Sequence, residues 1–280
     1  MEFLHFTFFQ NALLAGVLVS IACAIVGTYV VMNRMVFITG GIAHTAYGGI
    51  GIGVFLGVNP VVGAVVFSLA AAWAMGTVFY RTKQRLDTLI GVMWAVGMAI
   101  GIVFADVTHG YTAGLMSYLF GSILTISRVD LLFMGALDVV VVGLTLFFYQ
   151  QWLSISFDPE FSEIMGLPVK GFYLLMLGMT ALTVVVVMRM VGIIMVIALL
   201  TIPPAIANRF VTPLWKIMGL SCLLGILFTV VGMIISVYLD LTSGAMIILV
   251  AGGAYFISLL FSRDEKNVSL LEGRGERRKQ

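Results

Sequence analysis

Long apolar runs separated by short polar interruptions dominate this sequence from end to end. Breaks at charged residues, Pro and Gly divide it into nine runs, each close to the roughly 20 residues that a helix needs to cross about 30 Å of hydrocarbon. The pattern predicts an all-α polytopic membrane protein, with a transmembrane domain over 1–262 and a cytosolic tail over 263–280. The predicted spans are 11–32, 40–58, 61–80, 88–106, 131–150, 171–188, 191–207, 217–238 and 245–262.

A shorter apolar piece over 112–126 is rich in Gly and Ser. It is too short to cross the bilayer as a helix. Backbone groups can end at membrane depth only where protein or a wet cavity covers them. We therefore predict a re-entrant or half-length helix for this piece.

Composition supports a chain that lies mostly in lipid. Of the 280 residues, 61% are hydrophobic and 10% are charged, whereas about a quarter of the residues of a soluble domain are charged. The net charge of +2 gives no indication of a nucleic-acid partner. Cys23 and Cys222 lie far apart inside apolar runs, which favours two small core residues over a disulfide or a metal cluster.

Basic residues in the short connections predict the orientation, because Lys and Arg favour the cytoplasmic side. Placing the main basic clusters inside puts the C-terminus in the cytoplasm and, with nine crossings, the N-terminus outside. Arg128 and Arg189 then fall outside and oppose this orientation. The clusters comprise Arg81, Lys83 and Arg85, then Arg209 and Lys216, then Arg263, Lys266, Arg274, Arg277, Arg278 and Lys279.

The second predicted span combines many glycines with an imidazole. Small residues let helix backbones approach closely in lipid, so we expect this helix to be packed on several sides. The glycines expected to pack against other helices include Gly40, Gly41, Gly48 and Gly49.

His44 lies in the same span. An ionisable group in a membrane helix is a functional hypothesis by default, and neutral imidazole is a good ligand for zinc and related metals. The alternative is a structural histidine, hydrogen-bonded to a neighbouring backbone group or to Tyr47. Tyr47 is itself a further candidate for the metal path.

Three further residues are candidates for a functional role, and each has two possible interpretations. Asp106 and His109 share a predicted outer loop; they either capture metal at the entrance or belong to an ordinary solvated loop. Asp138 lies in the middle of the fifth span and needs a partner or a wet cavity there. Structural and functional readings of Asp138 both stay open.

Seven segments, in this order, resemble the permease family of bacterial and archaeal ABC importers for zinc and manganese. The resemblance runs from about 11 to 261 and extends, more distantly, to the cobalamin and siderophore import permeases. The segments are GGIAH at 40–44, LDTLIG at 86–91, SYLFGSI at 117–123, SFDPE at 156–160, GLP at 166–168, ALLTIP at 198–203 and YLDLTSG at 238–244.

This resemblance implies a type II importer fold and a homodimer of permeases that encloses one path. It also implies separate cytosolic ATP-binding subunits and an extracellular metal-binding protein. The metal, Zn²⁺ or Mn²⁺, would be transported cargo, with no permanently bound cofactor. Consistent with a separate ATPase, the chain has no G-x-x-x-x-G-K-[ST] loop to cradle nucleotide phosphates.

The chain departs from the family at one position. The matching helix usually carries an Asp four residues before the His, on the same helical face, and here that position is Gly40. If two copies meet around one path, a pair of His44 side chains would hold the metal without that carboxylate. Nitrogen ligands favour zinc, whereas manganese favours oxygen.

The resemblance also assigns the end of the seventh span to ATPase coupling. Pro203 and Pro204 predict that the helix stops or kinks there, and 205–211 is long enough for a short helix along the membrane face. The alternative is an ordinary cytoplasmic loop. The inner loop over 154–170 is a further candidate for the docking surface. The predicted coupling residues are Ala205, Ile206, Ala207, Asn208, Arg209, Phe210 and Lys216.

These observations favour the permease subunit of an ATP-driven divalent metal importer in the cell membrane, with zinc preferred over manganese. Two alternatives remain: a permease for a metal chelate, and a secondary transporter driven by an ion gradient, with Asp138 and His44 as its coupling groups. An intramembrane zinc protease would show H-E-x-x-H on a helix, and the sequence has no such motif.

Overall fold

The computed structural model describes residues 7–82, 86–108, 121 and 126–261. Within these residues the chain forms eleven helices and no strand. The helices are α1 Thr7–Met32, α2 Val36–Phe55, α3 Pro60–Thr82, α4 Leu86–Val107, α5 Arg128–Phe147, α6 Tyr149–Phe157, α7 Pro159–Ile164, α8 Val169–Val191, α9 Ile193–Phe210, α10 Leu214–Leu239 and α11 Ser243–Phe261.

Eight of these helices are long and apolar enough to cross a membrane, which confirms the all-α polytopic prediction. They are α1, α3, α4, α5, α8, α9, α10 and α11. Helix α2 corresponds to the second predicted span and has 20 residues, about 30 Å at 1.5 Å per residue. It is not among the eight, and glycines, His44 and Tyr47 interrupt its aliphatic residues.

Two predicted segments cannot be compared with the structure. The tail over 263–280 lies outside the described residues, and so does the predicted short helix over 112–126 apart from Gly121 and Ile126. Gly121 has φ +60°, and a Cβ there would collide with the backbone of Val191 and Gly192. Gly121 therefore packs against the α8–α9 junction.

Helix α2 packs mainly against α3 and α4, with further contact to α8. Glycines allow this close packing: an added Cβ at Gly48 would lie 2.6 Å from the Gly97 carbonyl oxygen of α4. Gly49 and Gly63 of α3 face each other in the same way, each against the other's backbone. The backbones of α2, α3 and α4 are thus held at short, fixed separations.

The other helices form a second group around α1. Helix α1 packs against α10, α9, α5 and α8, and α11 packs against α10 and α9. Helix α8 joins the two groups because it contacts α3 and α2 as well as α1 and α5. The buried core runs through α1, α8 and α9, where residues such as Val26, Val187 and Val196 are fully buried.

The prediction that the helix stops at the two prolines is wrong. Helix α9 continues through Pro203 and Pro204 to Phe210, and only three residues separate it from α10. Pro204 has no N–H for the Leu200 carbonyl four residues earlier. That carbonyl lies against Gly27 of α1, where any Cβ would clash with it. Neighbouring helices support proline-containing membrane helices in this way, so no separate helix over 205–211 forms.

The fifth span begins and ends earlier than predicted. A capping box starts α5: the Ser127 hydroxyl accepts a hydrogen bond from Asp130 N at 3.2 Å, and Asp130 Oδ2 accepts one from Ser127 N at 3.2 Å. Asp130 also pairs with Arg189 at the end of α8, at 3.3 Å. The start of α5 and the end of α8 therefore lie at the same end of the bundle.

Candidate functional site

His44 lies on α2 and faces α4. Between Ile38 and Gly51 of α2, all residues are buried except His44, which is half-buried. Its imidazole stacks on the indole of Trp94, with ring centroids 4.0 Å apart and an interplanar angle of 16°. The tight packing of α2 against α4 positions this pair, since an added Cβ at Gly97 would lie 2.6 Å from the Cα of Thr45.

Met98 gives His44 its polar contact. The Nδ1 atom of His44 lies 3.0 Å from the Met98 sulfur. A thioether accepts hydrogen bonds and cannot donate them, so this contact assigns the proton to Nδ1 and leaves the lone pair on Nε2. The hydrogen-bond partner of His44 is thus a side chain of the facing helix. The alternative of a structural histidine had predicted a backbone group or Tyr47 instead.

Sequence reasoning missed both Trp94 and Met98. They lie four residues apart on α4 and therefore share one face of that helix. This spacing is visible in the sequence. Nothing in the sequence indicates that the face is directed at His44, because that depends on how α2 and α4 pack.

Trp94 also covers the position of the missing carboxylate. A Cβ added at Gly40, one turn before His44, would lie 3.4 Å from Trp94 Cζ3, an ordinary van der Waals contact. Gly40 and His44 thus share the face of α2 that Trp94 covers. The candidate metal ligands at this face are the imidazole of His44 and the thioether of Met98.

Tyr47 is buried, and it also faces α4. A Cβ added at Gly101 would lie 2.7 Å from Tyr47 Cδ1. Asp106, at the end of α4, is exposed. His109 lies outside the described residues, so the predicted pair of Asp106 and His109 cannot be examined.

Asp138 lies in a different part of the bundle from His44. It is 7% exposed, and neither carboxylate oxygen has a hydrogen-bond partner among the described residues. Its electrostatic neighbours are the thiols of Cys23 on α1 and Cys222 on α10. In the described part of the chain, no three His, Cys, Asp or Glu side chains converge to form a metal site.

The predicted coupling residues occupy the end of α9 and the start of α10. Ile206 and Ala207 are buried, whereas Asn208, Arg209 and Phe210 are exposed. The Arg209 guanidinium donates to the Tyr255 hydroxyl of α11 at 3.3 Å and lies 5.1 Å from its ring centroid. Lys216 Nζ lies 5.3 Å from the centroid of the Trp215 ring.

Helices α6 and α7 form a compact unit at the same end of the bundle, since α8 starts there and α9 returns there. The Ser154 and Ser162 hydroxyls lie 2.7 Å apart and join the two helices. Asn33, at the end of α1, donates to the Ser156 hydroxyl at 3.1 Å. The unit leaves four large apolar side chains exposed: Phe157, Phe161, Ile164 and Met165.

Comparisons with known proteins agree with this architecture. The uncharacterized membrane protein slr2045 of Synechocystis sp. is 53% identical over 93% of this chain and 92% of its own length. The high-affinity zinc uptake system membrane protein ZnuB of Haemophilus influenzae is 31% identical, over 90% of this chain and 97% of its own. The manganese transport system membrane protein MntC of Halalkalibacterium halodurans is 30% identical, over 100% of this chain and 95% of its own.

The solved structure titled PsaBC from Streptococcus pneumoniae in complex with Fab matches with a TM-score of 0.84. It is 28% identical, and the match covers 95% of this chain and 96% of that one. The eight apolar helices of the described residues define a multi-pass membrane protein. The chain belongs to the ABC 3 transport family, whose profile matches residues 5–262. This match confirms the resemblance inferred from the seven sequence segments.

Proposed function

We propose that this chain is the permease subunit of an ATP-driven metal importer, that His44 lines the metal path, and that zinc is the preferred cargo. The observation that carries this proposal is the half-buried imidazole of His44 within an otherwise buried stretch of α2. Relatives named for zinc and for manganese are about equally similar to this chain, so its own donor atoms must decide the metal. Gly40 supplies no carboxylate oxygen, which favours zinc over manganese.

The path requires a second copy of the chain in this proposal. His44 alone supplies one nitrogen, and the described residues hold no cluster of three ligands. A homodimer around one path would bring two such half-sites together. Incomplete coordination suits transport, because an ion that is held too tightly cannot leave. An extracellular metal-binding protein would deliver the ion, and a separate cytosolic ATPase would supply the energy.

The ATPase would dock at the end of the bundle that carries α6, α7 and the α9–α10 turn. Exposed apolar side chains on α7 and the exposed Arg209 and Phe210 support this location. Asn33 connects α6 to the end of α1, so displacement of the docking surface would be passed to the core helix. In this proposal the C-terminus lies in the cytoplasm, as the basic residues predict.

A secondary transporter is the second candidate, and Asp138 is the observation that favours it. A buried carboxyl without a partner in a membrane helix is typical of proton-coupled carriers. The two candidates differ in their energy source. Purified chain in sealed vesicles would accumulate zinc with an imposed proton gradient alone if it were a secondary transporter, and would require the ATPase subunit and ATP if it were an importer permease.

The test of the proposed path is zinc uptake by cells that produce His44→Ala in place of the natural chain. We expect uptake to fall by about tenfold or more, because loss of a metal-site group commonly costs 10–100-fold in affinity. Cys222→Ala, a substitution at a half-buried residue of α10, should leave uptake unchanged. Wild-type uptake by His44→Ala at a normal protein level would remove His44 from the path.

A further inference from the structure

The sulfur of Met98 is directed at the proposed metal path. It lies 3.0 Å from His44 Nδ1, and Trp94, one turn earlier on α4, stacks on the same imidazole. Two residues of α4 thus fix the ring, one through its face and one through its nitrogen. Gly48 of α2 packs closely against the Gly97 backbone of α4, so the two helices cannot move apart without losing this packing.

We infer that Met98 is a metal ligand, and that His44 and Met98 together form a nitrogen–sulfur pair that selects a soft or borderline ion such as Zn²⁺ against Mn²⁺. This inference rests on the proposed function and makes it more specific. It assigns to Met98 the ligand position that Gly40 leaves without a carboxylate.

The geometry of the empty site is close to what a bound ion needs. Zinc binds imidazole nitrogen at about 2.0–2.1 Å and thiolate sulfur at about 2.3 Å. With the same sulfur distance for the thioether, a tetrahedral angle places the two atoms about 3.5 Å apart. The observed 3.0 Å must therefore open by about 0.5 Å. Methionine has three rotatable bonds and an unbranched chain, so its sulfur can move this far without a shift of the helix.

Metal binding at Nδ1 also requires a change of tautomer. In the empty site Nδ1 carries the proton that is donated to the sulfur. When the ion replaces that proton, the ring is protonated on Nε2 instead and stays neutral. No net proton is released, and the chain presents one nitrogen and one sulfur, which is half of a tetrahedral set.

The donor set accounts for selectivity. Thioether and imidazole ligands suit soft and borderline ions, whereas Mn²⁺ prefers carboxylate, carbonyl and water. Within the described residues no three His, Cys, Asp or Glu side chains form a cluster at His44. The competing explanation is that Met98 only fills space against the ring, as methionine often does in cores. That explanation predicts that leucine can replace it without consequence.

The first measurement is the zinc K-edge absorption spectrum of the full-length wild-type chain in lipid nanodiscs, loaded with Zn²⁺ alone. We expect a sulfur shell at about 2.3 Å beside nitrogen at about 2.0 Å. Met98→Leu should lose the sulfur shell and retain nitrogen. A wild-type spectrum with nitrogen and oxygen scattering alone would overturn the inference, whether or not the leucine variant folds.

The second measurement is uptake of Zn²⁺ in cells with Mn²⁺ as competitor. Met98→Leu should lower the preference for zinc by about tenfold, in line with the usual effect of altering a metal site. Met93→Leu, at a half-buried methionine of the same helix, is the matched control and should behave like wild type. Gly40→Asp, which the space beside Trp94 accommodates, should gain manganese uptake.

The outcomes separate this inference from the proposed function. If the wild-type chain raises uptake of neither metal, the proposed function fails and the inference fails with it. If wild-type cells import zinc while Met98→Leu keeps the full zinc preference, the proposed function stands and the role of Met98 is refuted.

Discussion

At the scale of single residues, His44 and Asp138 are ionisable groups within membrane helices that have opposite surroundings. His44 is half-buried, with Trp94 on its face and Met98 on its nitrogen. Asp138 is almost fully buried with no hydrogen-bond partner among the described residues. A polar group that function requires is usually oriented by its neighbours. We therefore propose that His44 takes part in transport and that Asp138 does not.

Asp138→Asn tests that assignment. A carboxylate at the centre of a membrane helix costs about 2.5–3.5 kcal/mol, and the neutral amide of similar size avoids this cost. We expect the variant to unfold at a temperature equal to or above that of wild type in detergent, with unchanged zinc uptake. Asp130→Asn, which breaks the ion pair with Arg189, is the comparison and should gain no stability. A loss of uptake by Asp138→Asn at a normal protein level would instead favour the proton-coupled carrier.

The sequence was sufficient to find His44 and insufficient to find its partners. An ionisable residue inside an apolar run stands out in any single sequence. Trp94 and Met98 look like ordinary apolar residues of a membrane helix. Only the packing of α2 against α4 shows that they face the imidazole, and helix pairing is not encoded in the local pattern.

At the scale of helices, glycine contacts determine how closely α2 approaches its neighbours. A side chain at Gly49 would meet the Gly63 carbonyl and the Cβ of Phe67, at 2.7 Å. Backbone atoms cannot give way as a flexible side chain can. The position therefore excludes even a methyl group unless α2 and α3 move apart.

We expect Gly49→Ala to lower the free energy of unfolding by about 1–3 kcal/mol, the usual cost of forcing extra atoms into a packed core. Gly143→Ala in α5, where no atom lies within 4 Å of the added Cβ, should be neutral or stabilise by up to about 1 kcal/mol. Thermal unfolding of both purified variants in the same detergent provides the measurement. Equal effects would mean that α2 and α3 are not closely packed at this point.

Helix α9 shows why a prediction from the local sequence pattern failed at the two prolines. Two consecutive prolines predict a break in any isolated helix. Here α1 lies against the carbonyl of Leu200 at Gly27, and the helix continues. The compensating contact comes from a residue more than 170 positions away in the sequence. A prediction from local pattern has no access to such a contact, whereas the apolar runs that define the spans are themselves local.

At the scale of the whole molecule, the two ends of the bundle differ in what they expose. One end carries α6, α7 and the α9–α10 turn, with basic residues and exposed apolar side chains. The other carries the Asp130–Arg189 ion pair and the exposed Asp106. Which end faces the cytoplasm stays a prediction from the basic residues. The apolar surface of α7 was not predicted, because a six-residue helix is too short for its periodicity to be visible.

The exposed apolar surface of α7 leads to a prediction about binding of the ATPase. Ile164, at the end of α7, is 82% exposed and lies outside the membrane-crossing helices. A hot-spot side chain of an interface contributes about 2 kcal/mol or more of binding, which corresponds to roughly 30-fold in affinity. We therefore expect Ile164→Glu to abolish co-purification of the ATPase subunit with this chain, while the chain itself still reaches the membrane.

Val58→Glu is the matched control, because Val58 is also an exposed aliphatic residue, 49% exposed, in the α2–α3 turn at the opposite end. It should leave the complex intact. Loss of the ATPase from both variants would indicate a general defect of folding. Retention by both would mean that α7 lies against lipid headgroups. Only loss confined to Ile164→Glu fits an ATPase that presses on α7 and displaces α1 through Asn33.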